Sequence, residues 1–310
     1  MNETIPKTAP QDNNRQNADR LMRLATYASV TVAVVLIASK FVAWLYTDSV
    51  SLLSTLIDSI LDAAASIINL IAVHHALQPA DHEHRFGHGK AEALSGLAQS
   101  AFIAGSAVFL LVEAGQRIFN PRPIENTEIG YGVMIFSIVL TVVLVIFQRY
   151  VVNKSGSVAI SADSLHYQTD VLINLSVIAS LAIVSQFDLP LADPVIALAI
   201  VFYIVRGAMQ IGLSSLDILM DKELPDDDRQ KIKSLVLAVD GVCGLHDLRT
   251  RTSGTQVFIQ MHVEMDGRIS LSKAHEIADK VELAVNIAYP RAEVIVHEDP
   301  EGIIEHRVTF

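Results

Sequence analysis

The sequence predicts a membrane protein with a helical transmembrane domain and a small C-terminal α+β domain. Of the 310 residues, 51% are hydrophobic and 18% are charged. The apolar residues form long runs between residues 21 and 220, whereas residues 221–310 have the mixed composition of a soluble domain. A helix needs about 20 mostly apolar residues to cross a bilayer core, and soluble proteins rarely repeat such runs.

The first twenty residues are polar and lack the apolar stretch of a signal peptide. They are predicted to form a disordered arm (1–20), followed by a transmembrane domain (21–220) and a C-terminal domain (221–310). The net charge of −11 argues against nucleic acid as a partner. The chain has one cysteine, Cys243, so an intrachain disulfide is excluded.

Six apolar runs are predicted to be all-α membrane spans, because turn-forming residues separate them. They are Leu21–Tyr46, Val50–Leu77, Ala91–Ile118, Ile129–Val152, Val158–Phe187 and Pro194–Leu219. An even number of spans puts both termini on one side of the membrane. Lys and Arg in the N-terminal arm and in the second and fourth loops predict that this side is the cytoplasm.

The C-terminal domain alternates helical and extended patterns in the order αββαβ. The predicted elements are a helix from Pro225 to Val239, strands Gly244–Thr252 and Thr255–Met265, a helix over Ser270–Tyr289 and a strand over Ala292–His297. Strict alternation of apolar and polar residues marks the second strand. The order predicts a small α+β sandwich with two helices on one face of a sheet.

Two predicted spans carry ionisable residues that lipid should exclude. Asp58 and Asp62 lie on the second span, and His166 and Asp170 lie on the fifth. Each pair is spaced i,i+4, so both side chains of a pair share one helix face. Each Asp at mid-bilayer costs about 2.5–3.5 kcal/mol unless it is compensated. Antiparallel packing of the two spans would bring the four residues to a similar depth.

Three carboxylates and one imidazole make a four-coordinate N/O ligand set. Zinc prefers tetrahedral coordination and accepts His and Asp, whereas magnesium and calcium require six or more oxygens. Without metal, crowded carboxylates take up protons, so metal and protons compete for the same atoms. Opened alternately to each side, such a site would exchange zinc for protons. Lys40 lies off the i,i+4 spacing and is predicted to snorkel or to pair laterally.

Two further clusters of metal-ligating residue types lie outside the spans. The loop after the second span contains Asp81, His84 and His88, with His82 and Glu83 as substitutes, and is predicted to hold a second site. The C-terminal domain contains a larger set, predicted to form a third site, of His246, His262, His275, His297 and Asp299.

Four segments resemble the cation diffusion facilitator family, specifically its bacterial zinc and iron efflux members. They are Asp58-Ser-Ile-Leu-Asp62, the run from Phe86 to Glu92, the run from Ser161 to Asp170, and the run from His246 to Arg251. The similarity covers about residues 20–300.

This resemblance implies a homodimer in the bacterial inner membrane, with six-helix protomers and a metallochaperone-like cytoplasmic domain. It implies that Asp58, Asp62, His166 and Asp170 form the transport site, and that the C-terminal site is binuclear and bridges the dimer. In such proteins the His on the fifth span goes with zinc and cadmium, so the resemblance implies Zn²⁺ as the main substrate, and the likeness to zinc and iron efflux members adds iron to Cd²⁺ as a further substrate. The expected activity is therefore proton-coupled export of a divalent metal, without enzymatic turnover.

Three other functions fit parts of the pattern. A membrane metalloenzyme would need a richer His or His/Glu set, and the chain has no His-Glu-x-x-His motif. A metal-gated channel or sensor would move zinc without moving protons. Metal uptake rather than export would use the same residues under different gradients.

Overall fold

The computed structural model describes residues 11–48, 50–119, 128–187, 192–290 and 292–302. The chain divides into a helical unit, Gln16–Leu216, and a C-terminal unit that begins at Asp217. Six long helices come first: α1 (Gln11–Thr47), α2 (Val50–Ala76), α3 (Lys90–Phe119), α4 (Glu128–Ser155), α5 (Val158–Phe187) and α6 (Ala192–Leu219). The predicted turns near residues 120–123 and 188–190 lie outside the described residues.

Five stretches of these helices are long and apolar enough to cross a membrane. They are Gln16–Thr47, Leu52–Ala76, Lys90–Val112, Gly132–Ser155 and Val195–Leu219, counted over the described residues. The sixth predicted span, α5, has 30 residues but is not among the five. Its first half contains Asp163, His166 and Asp170. The predicted combination of a helical membrane domain with a small α+β domain is confirmed.

The first helix begins earlier than the apolar pattern indicates. Helix α1 starts at Gln11, so the second half of the predicted disordered arm is helical. Ala18 and Met22 lie one turn apart and are 5% and 0% exposed. The buried stripe of α1 therefore extends into the polar segment, and its packing favours helix there. Residues 1–10 lie outside the described residues.

A buried polar network links four helices of the helical unit. The Oδ2 atom of Asp163 on α5 accepts hydrogen bonds from Ser29 Oγ on α1 at 2.5 Å and from Gln148 Nε2 on α4 at 2.7 Å. Tyr167 OH lies 2.9 Å from Ser66 Oγ on α2 and donates to the Ser29 carbonyl at 3.2 Å. Breaking such bonds would leave buried polar groups unpaired, at about 1–3 kcal/mol each. The network therefore fixes the rotation of α5, and with it the direction of the neighbouring His166.

The C-terminal unit contains α7 (Asp226–Leu237), β1 (Gly244–Ser253), β2 (Gln256–Met265), α8 (Leu271–Ala288) and β3 (Ala292–Pro300). The strand order is β1-β2-β3, with β1 antiparallel and β3 parallel to β2. The predicted order αββαβ is confirmed. Ser270 is the N-cap of α8, since its side chain accepts a hydrogen bond from the Lys273 backbone N–H.

One face of the sheet packs against both helices. Ile259, Met261 and Val263 of β2 are at most 1% exposed and share a core with Ile232 of α7 and Val281 of α8. Because side chains alternate along a strand, the residues between them point to the opposite face. His262 and Glu264 are among these residues, so the ionisable residues of β2 lie on the face away from the helices.

Candidate metal centres

The first candidate centre joins α2 and α5 inside the helical unit. Asp62, His166 and Asp170 each offer one ligand atom, and these atoms lie within 4.8 Å of one another. The Nε2 atom of His166 lies 3.0 Å from Asp62 Oδ1. It is buried and makes no hydrogen bond of good geometry with any described residue. A buried nitrogen that faces carboxylates without a hydrogen bond fits a cation held between them.

Asp58, the fourth residue predicted for this centre, lies at its border. It is one turn before Asp62 on α2 and interacts electrostatically with Asp170. Its carboxylate is not part of the compact three-residue group. The structure thus brings together three of the four predicted residues and leaves Asp58 within electrostatic reach.

Lys40 of α1 lies beside this centre. Its ammonium group donates hydrogen bonds to Ser59 Oγ at 2.6 Å and to the Thr55 carbonyl at 3.2 Å, both on α2. It also interacts electrostatically with Asp58, Asp62 and Asp170. Of the two predicted behaviours, the structure shows lateral pairing. The centre therefore has a fixed positive charge beside its carboxylates, which the helical spacing did not indicate.

The second candidate centre is the loop between α2 and α3. Ligand atoms of Asp81, His84 and His88 lie within 4.8 Å of one another, as the sequence predicts for this loop. The Oδ1 atom of Asp81 accepts the backbone N–H of His84 at 2.6 Å and that of Glu83 at 2.9 Å. These bonds, with the His84 imidazole, lower the pKa of Asp81. The carboxylate is therefore held ionised, the state in which it binds a metal.

Residues of the third candidate centre form a row across the sheet of the C-terminal unit. His246 of β1 pairs with His262 of β2, and His262 pairs with His297 of β3. A register shift follows His246, where Asp247 has a φ of 46°. This bulge keeps His246 opposite His262 while the rest of β1 follows a different register.

Asp299 is the shared neighbour of this histidine row. Its Oδ2 atom lies 2.8 Å from His262 Nδ1 and 3.3 Å from His246 Nε2, and its Oδ1 atom lies 3.2 Å from His297 Nε2. His246, His262 and Asp299 form a compact group that fits one metal ion. Both ring nitrogens of His246 are buried and make no hydrogen bond among the described residues, which fits a metal ligand.

Two residues depart from the predicted set of the third centre. Glu264, which was not selected, has Oε1 at 2.9 Å from His246 Nδ1. Its signal in the sequence is the i,i+2 spacing from His262 on the polar face of β2. His275, which was selected, lies on α8 instead of the sheet, and its nearest described acidic partner is Asp279 at 3.9 Å. Within one copy of the chain it is not brought to the histidine row.

Replacing His262 by alanine tests the third centre. If the row binds zinc as predicted, the variant is expected to lose that binding, because His262 is the central member of the row. Zinc transport should fall by less than about tenfold, since the centre in the helical unit keeps its ligands. The measurements are bound zinc per chain by equilibrium dialysis and zinc flux in proteoliposomes.

Glu282→Gln is the matched control, since this exposed residue of α8 lies in the same unit but outside every proposed metal site. It should keep the zinc. Loss of transport in His262→Ala as complete as that caused by a change at Asp62 would contradict the separate roles of the two centres.

Two family models match almost the whole chain. The cation efflux transmembrane domain matches residues 26–220, and the cytoplasmic domain of cation efflux proteins matches residues 224–301. The chain belongs to the cation efflux family. The predicted resemblance to cation diffusion facilitators is thereby confirmed.

Similar proteins from other bacteria are cation-efflux pumps, in agreement with the family. The cation-efflux pump FieF of Shewanella oneidensis is 48% identical over 282 residues, covering 91% of this chain and 95% of the relative. FieF of Salmonella paratyphi A is 45% identical over 289 residues, covering 93% and 96%. The solved zinc form of CzrB, at 27% identity, covers 28% of this chain and 99% of its own, with a TM-score of 0.26, which is too low for a structural argument.

Membership of this family establishes the general role. The chain is a multi-pass membrane protein of a cation-efflux family that exports divalent metal cations. It is a transporter and not an enzyme, as the sequence predicts. The metalloenzyme alternative is therefore excluded by the relatives.

Proposed function

We propose that this chain exports Zn²⁺ from the cytoplasm in exchange for protons, by alternating access to the centre between α2 and α5. The observation that carries the proposal is the group Asp62, His166 and Asp170, in which His166 is buried and the two carboxylates are half-buried, and which offers three ligand atoms within 4.8 Å of one another. Asp58 completes the proposed transport site from one turn away. The mixed N/O donor set favours zinc over magnesium and calcium.

Competition for the same atoms supplies the proton coupling. Carboxylates at close range in a poorly solvated site cannot all stay ionised, so they share protons when no metal is bound. A zinc ion that enters replaces those protons, and protons that enter from the opposite side release the ion. Alternating access converts this competition into antiport.

Exposed apolar side chains and the distribution of Lys and Arg support the proposed location in the bacterial inner membrane. Large apolar side chains of the helical unit are exposed, including Phe109 at 68%, Phe202 at 72% and Ile71 at 63%, and lipid is their proposed partner. The distribution of Lys and Arg supports a cytoplasmic location for both termini.

The two remaining centres are proposed to bind zinc without transporting it. The loop site contains Asp81, His84 and His88. The C-terminal site contains His246, His262, His297 and Asp299, with His275 joining from a second copy in a homodimer. Family matches to a cytoplasmic domain of efflux proteins support this division between transport and regulation.

The deciding experiment is zinc flux in proteoliposomes at clamped pH. With an imposed pH gradient, zinc is expected to move toward the compartment with more protons, and to reverse when the gradient is reversed. Proton movement in the opposite direction should accompany it, measured with a pH-sensitive dye. Zinc movement that is the same at every pH gradient would indicate the channel alternative and contradict antiport.

A further inference from the structure

A fourth imidazole lies next to the loop site. The ring of His88 has two histidine neighbours at nearly equal distance. Its centroid is 4.6 Å from that of His84, with an interplanar angle of 44°, and 4.5 Å from that of His75, with an angle of 56°. His84 and His88 are proposed ligands, and His75 was not part of the predicted set. The His75 ring therefore lies as close to the His88 ring as the His84 ring does, and at a similar tilt.

We propose that His75 is the fourth protein ligand of the loop site, which closes it as a tetrahedral site with three imidazoles and one carboxylate for Zn²⁺. The proposal rests on the loop site proposed above and adds a ligand from α2. Asp81, His84 and His88 come from the loop itself, so His75 would connect the metal to a transmembrane helix.

The local backbone places His75 and the loop side by side. His75 lies in the last turn of α2, which ends at Ala76. The His75 carbonyl accepts the N–H of Gln78 at 3.0 Å, and the chain then turns back through Asp81. Backbone bonds from His84 and Glu83 to Asp81 hold the loop in its turn. The loop ligands are therefore arranged before any metal binds, next to the end of a helix.

An unpaired nitrogen supplies an independent indication of a ligand. The side chain of His88 is 3% exposed. Its Nδ1 atom is buried without a hydrogen-bond partner among the described residues, and its Nε2 atom lies 3.3 Å from Asp81 Oδ2. A buried polar atom without a partner costs about 1–3 kcal/mol. A metal ion bound at Nδ1 would remove that cost.

The ordinary alternative is that His75 is a surface histidine that touches His88 by chance. Its exposure is consistent with that reading. A tilt of 56° is compatible with two imidazoles that turn toward one ion, and a zinc titration of His75 variants decides between the two explanations. His75 is not part of the group whose ligand atoms lie within 4.8 Å of one another, so its exposed side chain would rotate toward the ion to bind it at a zinc–nitrogen distance of about 2.0–2.1 Å.

A fourth protein ligand would change how the loop site handles its ion. Structural zinc sites have four protein ligands, whereas sites with three keep a position open to water or substrate. A loop site with four ligands would retain its ion and not pass it on. It would tie the end of α2 to the loop that leads into α3, and α2 also carries the Asp58 and Asp62 pair.

His74 provides a matched control for the test. It precedes His75 on the same helix, so its side chain points about 100° away around the helix axis. Both residues are exposed, and alanine is a good helix former, so neither His→Ala change should disturb the fold. The full-length protein in detergent is titrated with Zn²⁺ against a chromophoric chelator, and with Co²⁺ for its visible absorption. Asp81→Ala identifies the binding that belongs to the loop site.

His75→Ala is expected to weaken zinc at the loop site by at least about tenfold, since a change near a metal ligand already costs about 10–100-fold. The variant should also release zinc faster and lose intensity in the cobalt bands of four-coordinate geometry. His74→Ala should match the wild type. If His75→Ala behaves as His74→Ala does, or if Asp81→Ala removes no binding from the wild-type total, the inference is overturned.

Zinc flux of the same variants separates this inference from the transport proposal. A wild-type protein that fails to move zinc would contradict antiport, yet its loop-site titration would still answer the question about His75. A protein that moves zinc normally, with no change in zinc or cobalt binding in His75→Ala, would overturn the inference alone.

Discussion

Replacing Asp62 by asparagine is expected to lower zinc flux in proteoliposomes by more than about 100-fold, because loss of a ligand exceeds the effect of changes around ligands. Asp62 lies 3.0 Å from His166 Nε2 and provides one of three clustered ligand atoms. Asparagine keeps the shape of the side chain and removes its charge. The helices should therefore stay packed while zinc binding in the helical unit is lost, and initial zinc uptake at a fixed pH gradient measures the effect.

Asp48→Asn is the control for this change. Asp48 lies at the end of α1, is exposed, and has a φ of 48°, a conformation that asparagine also tolerates. The substitution removes one negative charge from the helical unit, as Asp62→Asn does, but at a position outside the group of Asp62, His166 and Asp170. Equal flux in the two variants would show that the cluster is not the transport site, provided that both elute and melt as the wild type does.

Replacing Lys40 by glutamine should make the proposed transport site bind zinc more tightly. Glutamine can still donate to Ser59 and Thr55, so the contact between α1 and α2 is retained while the positive charge is removed. As an order of magnitude, a unit positive charge repels a divalent ion by about 1.7 kcal/mol at a separation of about 10 Å and an effective dielectric constant of about 40, so affinity should rise by roughly tenfold. Equilibrium zinc binding measures the rise, and zinc flux should fall because release becomes slower.

Lys40→Arg distinguishes charge from packing, since it keeps the charge and changes the shape. Its zinc affinity should stay within about threefold of the wild type, well below one tenfold step of 1.4 kcal/mol. If the glutamine and arginine variants bind zinc equally, the charge of Lys40 does not act on the site.

Local spacing was sufficient for much of the architecture. The i,i+4 pairs on α2 and α5 and the alternation along β2 are set by residues that are close together in the chain. The helix bounds found in the structure lie within a few residues of the predicted spans, apart from the start of α1. In that case the burial of Ala18 and Met22 against other helices outweighs the polar local composition.

Contacts between different elements could not be predicted from the sequence pattern. Lys40 reaches the site because its long side chain crosses from α1 to Ser59 of α2, and no periodicity within α1 encodes that crossing. His75 lies at the end of a span and meets His88 through the return of the loop. Glu264 enters the third centre because the bulge at Asp247 sets the position of His246. Each of these depends on packing or register between segments that are separate in sequence.

The row of histidines across β1, β2 and β3 ties metal binding to the order in which the sheet is assembled. The hairpin of β1 and β2 can form locally, but Asp299, which contacts all three histidines, arrives with β3 after the whole of α8. A slip of β3 by one residue would turn His297 and Asp299 to the helix-covered face. A metal ion in this row would therefore bind tightly only when β3 is paired with β2 in the native register, and its binding would stabilise that register over shifted ones.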